Sequence, residues 1–317
     1  MGTRKSNIHK RHQTRKSGKK NGKKNGKKNG KKSKKKTFKN LKCSPMRNNK
    51  NKRFSCYDSE ALYKIRNAWN IRHSDSIIDT DNPKEIWESL KELNSKTCSN
   101  EMCWIKQQCM KHDLDKNLVL DNFAPIVPKE WFKKENEWLS SIEIMQIMKQ
   151  WEKKNPQFVF LGPSPIDYDK HLAYDECVWE DLCKFSLINM IKKGKTKIGI
   201  IFNTHPHTED GEHWICCFID IKKEKIYYFD SYGDRIPTRI RKFVRTIEEQ
   251  SEKIGNKYEY LFNKKRHQYS MSECGMYCLY VIVELCKGSP WSKVSEKRID
   301  DKYMKKLRKI YFNHIKI

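Results

Sequence analysis

The first 53 residues contain no aspartate and no glutamate, although they hold 23 of the 67 lysines and arginines in the chain. The residues that follow are nearly balanced, with 44 basic side chains against 39 acidic ones. Most of the net charge of +28 therefore belongs to an N-terminal tail. The isoelectric point of the whole chain is thus no evidence that the rest of the protein binds nucleic acid.

The tail also has very few apolar residues. Residues 19–32 read Lys-Lys-Asn-Gly three times and then Lys-Lys. Like charges at this density repel each other and nothing can be buried, so residues 1–53 are predicted to be a disordered basic tail. Such a run binds polyanions through counterion release, which makes nucleic acid its expected partner, unless the lysines only confer solubility.

The start of the tail fits a lipidation pattern. Met1-Gly2-Thr3-Arg4-Lys5-Ser6 matches the N-myristoylation motif, with Gly2 as the acceptor. One acyl chain binds a membrane only marginally, and the lysines would supply a second signal. The expected contact is peripheral, because no apolar run approaches the ~20 residues that a membrane span needs. The N-terminus is also too polar for a signal peptide.

The twelve cysteines lack the regular spacing of a disulfide framework. Reduced thiols in an intracellular, reducing compartment are therefore expected. Two sets of residues have zinc-binding side chains: Cys98, Cys103, Cys109 with His112, and His205, His207 with His213. Neither set has a recognised zinc spacing, so we expect no metal and no cofactor, and the first set is predicted to be buried thiols on a packed helix.

Apolar periodicity predicts an α+β fold. Pro125 and Pro128 mark the boundary between an N-terminal helical accessory region, 54–128, and a domain that spans 129–317. The predicted strands of that domain are 158–161, 197–202, 213–221, 225–230 and 258–262. Its predicted helices are 131–151, as one helix or a pair, and 180–192, 237–253, 274–287 and 299–312. The first long strand is apolar throughout, which places it inside a sheet, and the next two form a hairpin.

One cysteine stands where a thiolate would be stabilised. Cys274 follows a polar loop and opens an almost wholly apolar helix, capped by Ser272, and the N–H groups at a helix N-terminus favour negative charge. Gly275 behind it lets another segment approach closely. Because a thiolate is a far better nucleophile than a thiol, Cys274 is the predicted nucleophile. Cys278 and Cys286, deeper in the same helix, are expected to be inert.

A general base and an orienting acid are expected on the hairpin. His213 begins its first strand and Asp230 ends its second, and antiparallel pairing brings these ends together. A tight turn would leave Asp230 short of His213, so a bulge, a strong twist or a longer loop is needed. An acid there would orient the imidazole and stabilise its charge. Gln268 is a candidate donor to an oxyanion, beside the N–H of Cys274, or else a plain surface residue.

Together these motifs resemble those of a known family. The segments stand in the order and at the spacing of the ubiquitin-like-protein-processing and adenovirus-type cysteine proteases: His213-Trp214, Tyr228-Phe229-Asp230-Ser231, Gln268 and Glu273-Cys274-Gly275-Met276-Tyr277. The resemblance covers roughly residues 131–290. Within the family, the chain is similar to the core-protein-processing thiol proteases of large cytoplasmic DNA viruses. It departs from the family at 269–273, where Gly and Asp are often found.

The resemblance implies a papain-like cysteine protease fold, with a central mixed sheet, a buried helix that carries the nucleophile at its N-terminus, and an N-terminal helical arm. It implies acyl transfer in which Cys274 attacks the scissile carbonyl, His213 protonates the leaving amine and Gln268 holds the oxyanion. Trp214 would roof a narrow cleft that admits small residues before the cut, of the Gly-Gly or Gly-X type. The implied substrates are viral structural polyproteins, cleaved in the virion or the cytoplasm of the infected host.

Three other functions stay open. The same site would serve a deconjugating protease that acts on conjugates of a ubiquitin-like modifier. An acyltransferase would need a site for an acyl-carrier nucleotide, and no Gly-rich phosphate-binding loop is evident. An inactive, basic nucleic-acid-binding protein would account for the tail, but not for an intact set of His213, Asp230, Gln268 and Cys274.

Overall fold

A computed structural model describes residues 37–45, 54–107 and 117–315. The predictions for residues 1–36, including lipidation of Gly2, and those for Cys109 and His112 lie outside these ranges. Disorder and nucleic-acid binding of that part of the tail therefore stay predictions. Among the described residues, no helix has the length and apolar character needed to span a membrane.

Short helices build the N-terminal region. They are α1 (Ser59–Arg72), α2 (Pro83–Leu93), α3 (Glu101–Gln107) and α4 (Asn117–Asn122). The carboxylate of Asp58 accepts the N–H of Ala61 and the side chain of Asn82 accepts that of Lys84, so side-chain caps begin the first two helices. The helices bury an aromatic core of their own around Trp87. This region is the arm.

The last residues of the predicted tail belong to the arm. Phe38 and Leu41 pack against the arm core, and Cys43 forms a disulfide with Cys56. The N–H of Lys39 donates to the carbonyl of Ser99 at 2.7 Å. Residues 37–45 therefore depart from the disorder predicted for 1–53, because their few apolar side chains find a core that a charge census does not reveal.

Six strands form one mixed sheet. They are β1 (Phe158–Phe160), β2 (Ser164–Pro165), β3 (Lys197–Asn203), β4 (Trp214–Asp220), β5 (Lys225–Phe229) and β6 (Glu259–Phe262). Their order is β1-β3-β4-β5-β6, with β2 also paired to β3. The β3–β4 and β4–β5 pairs are antiparallel and the others parallel. The predicted hairpin and the interior position of β3 are both confirmed.

Helices cover both faces of this sheet. They are α5 (Ser141–Lys154), α6 (Glu180–Cys183), α7 (Leu187–Lys192), α8 (Thr238–Glu252), α9 (Cys274–Cys286), α10 (Trp291–Ser295) and α11 (Asp301–Tyr311), with 3₁₀ turns at Lys129–Phe132 and Ala173–Asp175. Alternate residues of β4 face opposite cores: Phe218 packs in the core that holds α9 and α5, and Ile219 in the core that holds α8. The expected α+β class, mixed sheet and buried helix are confirmed.

The structure corrects the expectation for the cysteines. Three disulfides form, Cys43–Cys56, Cys98–Cys103 and Cys177–Cys183. The prediction of reduced thiols therefore holds, among the described cysteines, only for Cys216, Cys217, Cys274, Cys278 and Cys286, all of them buried. For Cys98 and Cys103, the zinc interpretation and the prediction of buried free thiols are both wrong, because their sulfur atoms are bonded to each other.

Candidate active site

The predicted nucleophile opens a helix that is buried along its whole length. Cys274 is the first residue of α9 and is only 2% exposed. Gly275 leaves room for the opposing wall: a Cβ atom there would lie 3.1 Å from Cβ of Leu139 and 3.3 Å from Cδ1 of Trp214. A larger residue would push the wall away from the thiol.

The position before Cys274 differs from the predicted cap. Glu273, not Ser272, stands at the N-cap of α9, and its side chain caps no N–H. Its fully buried carboxylate instead accepts from Arg308 of α11, with Nη2 and Oε2 3.2 Å apart. Arg308 also donates to the carbonyl of Glu137 at 2.6 Å. The guanidinium of Arg308 therefore links three parts of the chain. These are α11 itself, the segment before α5, and Glu273, which precedes the nucleophile.

The strand register brings His213 and Asp230 together. Cys216 pairs with Phe229, and continuing that register puts Ile215 opposite Asp230. His213 is therefore a diagonal neighbour of Asp230, within reach of a long side chain. Its Nε2 lies 2.8 Å from Oδ1 of the carboxylate, and both side chains are largely buried. No bulge is needed, because the side chains close the gap that the backbone leaves.

Asn263 holds the backbone of Asp230 in place. The N–H of Asp230 donates to Oδ1 of Asn263 at 2.9 Å, and Nδ2 of Asn263 donates back to the carbonyl of Asp230 at 2.7 Å. Asn263 is 1% exposed and follows β6 directly. Asn263 is not evident from the sequence, since a single Asn after a strand usually indicates a turn.

Cys274 is the second residue that acts on the protonation of the imidazole. Asp230 takes Nε2 of His213, which leaves Nδ1 for Cys274. Burial lowers the pKa of His213, but the hydrogen bonds and charges of Asp230 and Cys274 outweigh it and raise the pKa to about 9. The imidazole is therefore protonated at neutral pH.

Burial keeps three other thiols protonated, those of Cys217, Cys278 and Cys286. Burial raises the pKa of Cys217 and Cys278 well above the usual range of a thiol. Burial also raises the pKa of Cys286 to about 12, although the charge of Lys197 opposes it. These thiols stay protonated at neutral pH, which agrees with the prediction that Cys278 and Cys286 are inert.

Gln268 lies inside the site and is not a surface residue. It is fully buried, and its Oε1 accepts the hydroxyl of Ser231 at 2.6 Å. Its Nε2 donates to the carbonyl of Ser270 at 2.7 Å and stands 3.5 Å from the hydroxyl of Tyr232. Since a side-chain amide has two N–H donors and the second contact is long, one donor stays available to an oxyanion.

A cleft of about 520 Å³ lies beside Trp214, the neighbour of His213 in the chain, and the four predicted catalytic residues are not among those that line it. Trp214 forms part of its wall, and the indole Nε1 donates to the carbonyl of Leu139 at 2.9 Å. The remaining wall comes from the start of α5 and from the loops around Pro163 and His205. Trp214 thus lies in the wall of a cleft, as the family resemblance implies.

The three histidines of the alternative metal site do not converge. His205 pairs with Glu212 at 2.9 Å, His207 with Asp167 at 2.7 Å, and His213 with Asp230. Within the described ranges, His171, Cys177 and Cys183 do lie within 4.8 Å of one another. There the two cysteines form a disulfide, so they offer no thiolate to a metal.

Comparison with known proteins agrees with this geometry. Residues 195–316 match the Ulp1 protease family, C-terminal catalytic domain. A protein of Acanthamoeba polyphaga mimivirus named as a thiol protease is 26% identical over 294 residues, which cover 86% of this chain and 93% of the relative. The SUMO-1 cysteine protease of African swine fever virus is 25% identical over 257 residues, 76% of this chain and 92% of that protein.

The fold agrees as well. A crystal structure of an African swine fever virus protease superimposes with a TM-score of 0.62 at 21% identity, covering 88% of this chain and 98% of the other. The papain-like fold and the family resemblance drawn from the motifs are thus confirmed. The chain is a cysteine peptidase, and its residues 195–316 are similar to the Ulp1 catalytic domain.

Proposed function

We propose that this cysteine peptidase cleaves proteins after small residues, of the Gly-Gly or Gly-X type, and matures viral structural polyproteins in the virion or the infected cytoplasm. Cys274 is the nucleophile, His213 the general acid and base, Asp230 the orienting acid, and Gln268 an oxyanion donor. The observation that carries the proposal is the series Asp230, His213 and Cys274, in which His213 hydrogen-bonds to Asp230 and Cys274 opens a buried helix.

The chemistry follows from that series. The thiolate of Cys274 attacks the scissile carbonyl, and the imidazolium of His213 gives its Nδ1 proton to the leaving amine. Water then attacks the thioester, with neutral His213 as the base, and the acid product leaves as the S–C bond breaks. Asp230 accepts the hydrogen bond from Nε2, which leaves Nδ1 to exchange the proton.

The oxyanion is held by two donors. One is the N–H of Cys274 at the start of α9, where the first N–H groups have no partner within the helix. The other is the amide of Gln268, whose orientation is fixed by Ser231 and Ser270. Such preorganised donors favour the transition state, because they need no rearrangement as charge develops.

The preference for small residues rests on the roof of the cleft. Trp214 and Leu139 approach the start of α9 so closely that a Cβ at Gly275 would contact both. The bond from the indole to the carbonyl of Leu139 holds this roof in place. A substrate that passes under it towards Cys274 needs residues without bulk next to the cleaved bond.

A second function, the deconjugation of a ubiquitin-like modifier, uses the same site. It is supported by the relative named as a SUMO-1 cysteine protease, which is 25% identical to this chain. The polyprotein role is favoured because the two relatives are proteins of viruses and match 86% and 76% of this chain, more than the catalytic domain alone. A modifier and a polyprotein both present a Gly-containing segment, so chemistry at Cys274 does not separate them.

The test offers three substrates to one enzyme preparation: a structural polyprotein of the same virus with its Gly-Gly-X or Gly-X site, the same polyprotein with Gly replaced by Leu, and SUMO linked to a lysine of another protein. We expect rapid cleavage of the first alone. Faster cleavage of the SUMO conjugate would favour the second function. Equal cleavage of the Gly and Leu polyproteins would contradict the preference for small residues.

A further inference from the structure

An aromatic ring covers one face of the His213 imidazole. The ring of Tyr232 lies parallel to it, with centroids 4.7 Å apart and planes 13° apart. Continuing the β4–β5 register beyond Phe229 puts His213 directly opposite Tyr232. The stack is therefore a cross-strand pair, at the point where the ladder of backbone hydrogen bonds has ended.

Arg266 holds the same ring from the other side. Its guanidinium carbon lies 4.9 Å from the ring centroid of Tyr232, and two groups cannot occupy one face of a ring. Arg266 is itself fixed, because its Nε donates to the carbonyl of Gln268 at 2.8 Å. Tyr232 is thus enclosed between the imidazole and a cation that cannot easily move away.

The backbone of Tyr232 is also committed to the site. Its N–H donates at 2.8 Å to Oδ1 of Asp230, the oxygen that accepts from His213. The next residue, Gly233, has φ +79°, and a Cβ there would lie 2.9 Å from the carbonyl carbon of Lys265. Only glycine suits both the left-handed backbone and this close approach.

The hydroxyl of Tyr232 lies near Gln268, the proposed oxyanion donor. It stands 3.5 Å from Nε2 of Gln268. Burial and the neighbouring Cys274 raise the pKa of Tyr232, although Arg266 opposes them. The hydroxyl therefore stays neutral at physiological pH. It adds no charge beside the thiol, and its contact with the amide is long for a hydrogen bond.

We infer that Tyr232 is a positioning residue for the reaction: its ring holds the His213 imidazole in the plane that joins Asp230 to Cys274. The inference rests on the proposed function, since it assigns Tyr232 a role only if His213 is the acid and base. Asp230 fixes one edge of the imidazole but does not stop the ring from turning about that bond. The Tyr232 stack opposes this rotation.

The test separates the ring from the hydroxyl. In Tyr232→Leu the stack is lost, and kcat for a fluorogenic Gly-Gly peptide is expected to fall about 10- to 100-fold with KM little changed, since a misplaced group costs about that much. In Tyr232→Phe only the long contact to Gln268 is lost, so kcat should stay within about threefold of wild type. Tyr232→Trp keeps a ring and should also retain most activity.

A matched control exists on β6. Tyr260 is half-buried and enclosed in the same way, between the Phe262 ring at 5.7 Å and the Arg241 guanidinium at 4.7 Å. Tyr260→Leu removes an equivalent sandwich that touches no part of the site, so kcat should change by less than about twofold. An equal loss of kcat in both Leu variants would make Tyr232 merely structural and overturn the inference.

A spectroscopic measurement gives an independent readout. In proton NMR, the Nε2–H of His213 bonded to Asp230 should give a downfield resonance in wild type and in Tyr232→Phe, and this resonance should broaden or vanish in folded Tyr232→Leu. Wild-type kcat in Tyr232→Leu, a loss confined to KM, or an unchanged resonance would each overturn the inference. If Tyr232→Leu does not fold, the test uses folded Tyr232→Trp. A low kcat in that variant together with an intact resonance would also overturn the inference.

The proposed function can fail separately. Labelling of the wild-type thiol by iodoacetamide, absent in Cys274→Ala, shows that the nucleophile is active whatever Tyr232 does. Wild type that neither labels at Cys274 nor cleaves the peptide would contradict the proposed function. A wild type that does both, with a Tyr232→Leu variant that matches it, contradicts the positioning role alone.

Discussion

Asp230 in the catalytic region and Glu101 in the arm are buried carboxylates with the same exposure, 4% each. Glu101 accepts from the indole of Trp87 at 2.6 Å, from the hydroxyl of Ser55 at 2.5 Å and from the N–H of Cys56 at 3.3 Å. Asp230 accepts from an imidazole. The two carboxylates are thus equally buried, but they accept hydrogen bonds from different kinds of donor.

The consequence of this difference is electrostatic. Burial raises the pKa of Glu101, and its neutral donors only partly oppose the rise. Asp230, together with Cys274, raises the pKa of His213 to about 9 even though burial opposes them. A carboxylate among neutral donors ties segments together, whereas one beside a titratable ring sets a protonation state that chemistry can use.

The largest expected effect comes from removing the reacting groups of the catalytic region. Cys274→Ala and His213→Ala should each lower kcat/KM for peptide cleavage by about 10⁴-fold or more, and the double variant should be little worse, because the two act as one unit. Circular dichroism checks that the fold survives. Wild-type turnover in Cys274→Ala would end the assignment of the site.

A smaller effect is expected from the charge of Asp230, and it depends on pH. In wild type, kcat/KM should fall as pH rises through about 9, because His213 loses the proton that the leaving amine needs. Asp230→Asn removes a group that raises this pKa, while burial still lowers it, so the alkaline limb should move to lower pH. Superimposable pH profiles of the two proteins would contradict this account.

The same shift has a consequence for stability. The folded-state pKa of His213 lies above its ordinary value of 6.5. The contribution of His213 to the free energy of unfolding is therefore complete below pH 6.5 and is lost as pH rises towards 9. Thermal unfolding of wild type and His213→Ala across this pH range measures the contribution. The difference in stability between the two proteins should become smaller as pH rises.

The smallest effect on catalysis is expected in the arm. Glu101→Leu removes the acceptor of the Trp87 indole and of two further donors, which should lower the free energy of unfolding by about 3 kcal/mol. Peptide turnover per folded molecule should not change, since the carboxylate touches no reacting group. Urea unfolding followed by an activity assay measures both quantities.

A surface variant of the arm makes that comparison sharper. Glu88 lies on α2 with its side chain 57% exposed, paired at 3.8 Å with Lys84. Glu88→Leu should change stability by less than about 0.5 kcal/mol. Equal losses of stability at Glu88 and Glu101, or a drop in turnover in folded Glu101→Leu, would remove the distinction drawn between the two buried carboxylates.

Much of the site could be predicted because its signals are local. An apolar helix that begins at Cys274 and a hairpin with His213 and Asp230 at its two ends are both visible in residue order. The burial of Gln268 was harder to predict, because its neighbours in sequence are basic. It is fully buried because the loop that carries it folds under Ser231.

What the sequence determined by itself was the period of apolar residues, the turn between β4 and β5, and the order of the reacting groups. These depend on neighbours a few residues apart, where backbone geometry leaves few choices. Tertiary structure alone decided the pairing of Cys43 with Cys56, the contact between Arg308 and Glu273, and the stack of Tyr232 on His213. Each depends on how packed elements align side chains that are distant in the chain or lie beyond a strand end, and composition carries no record of that alignment.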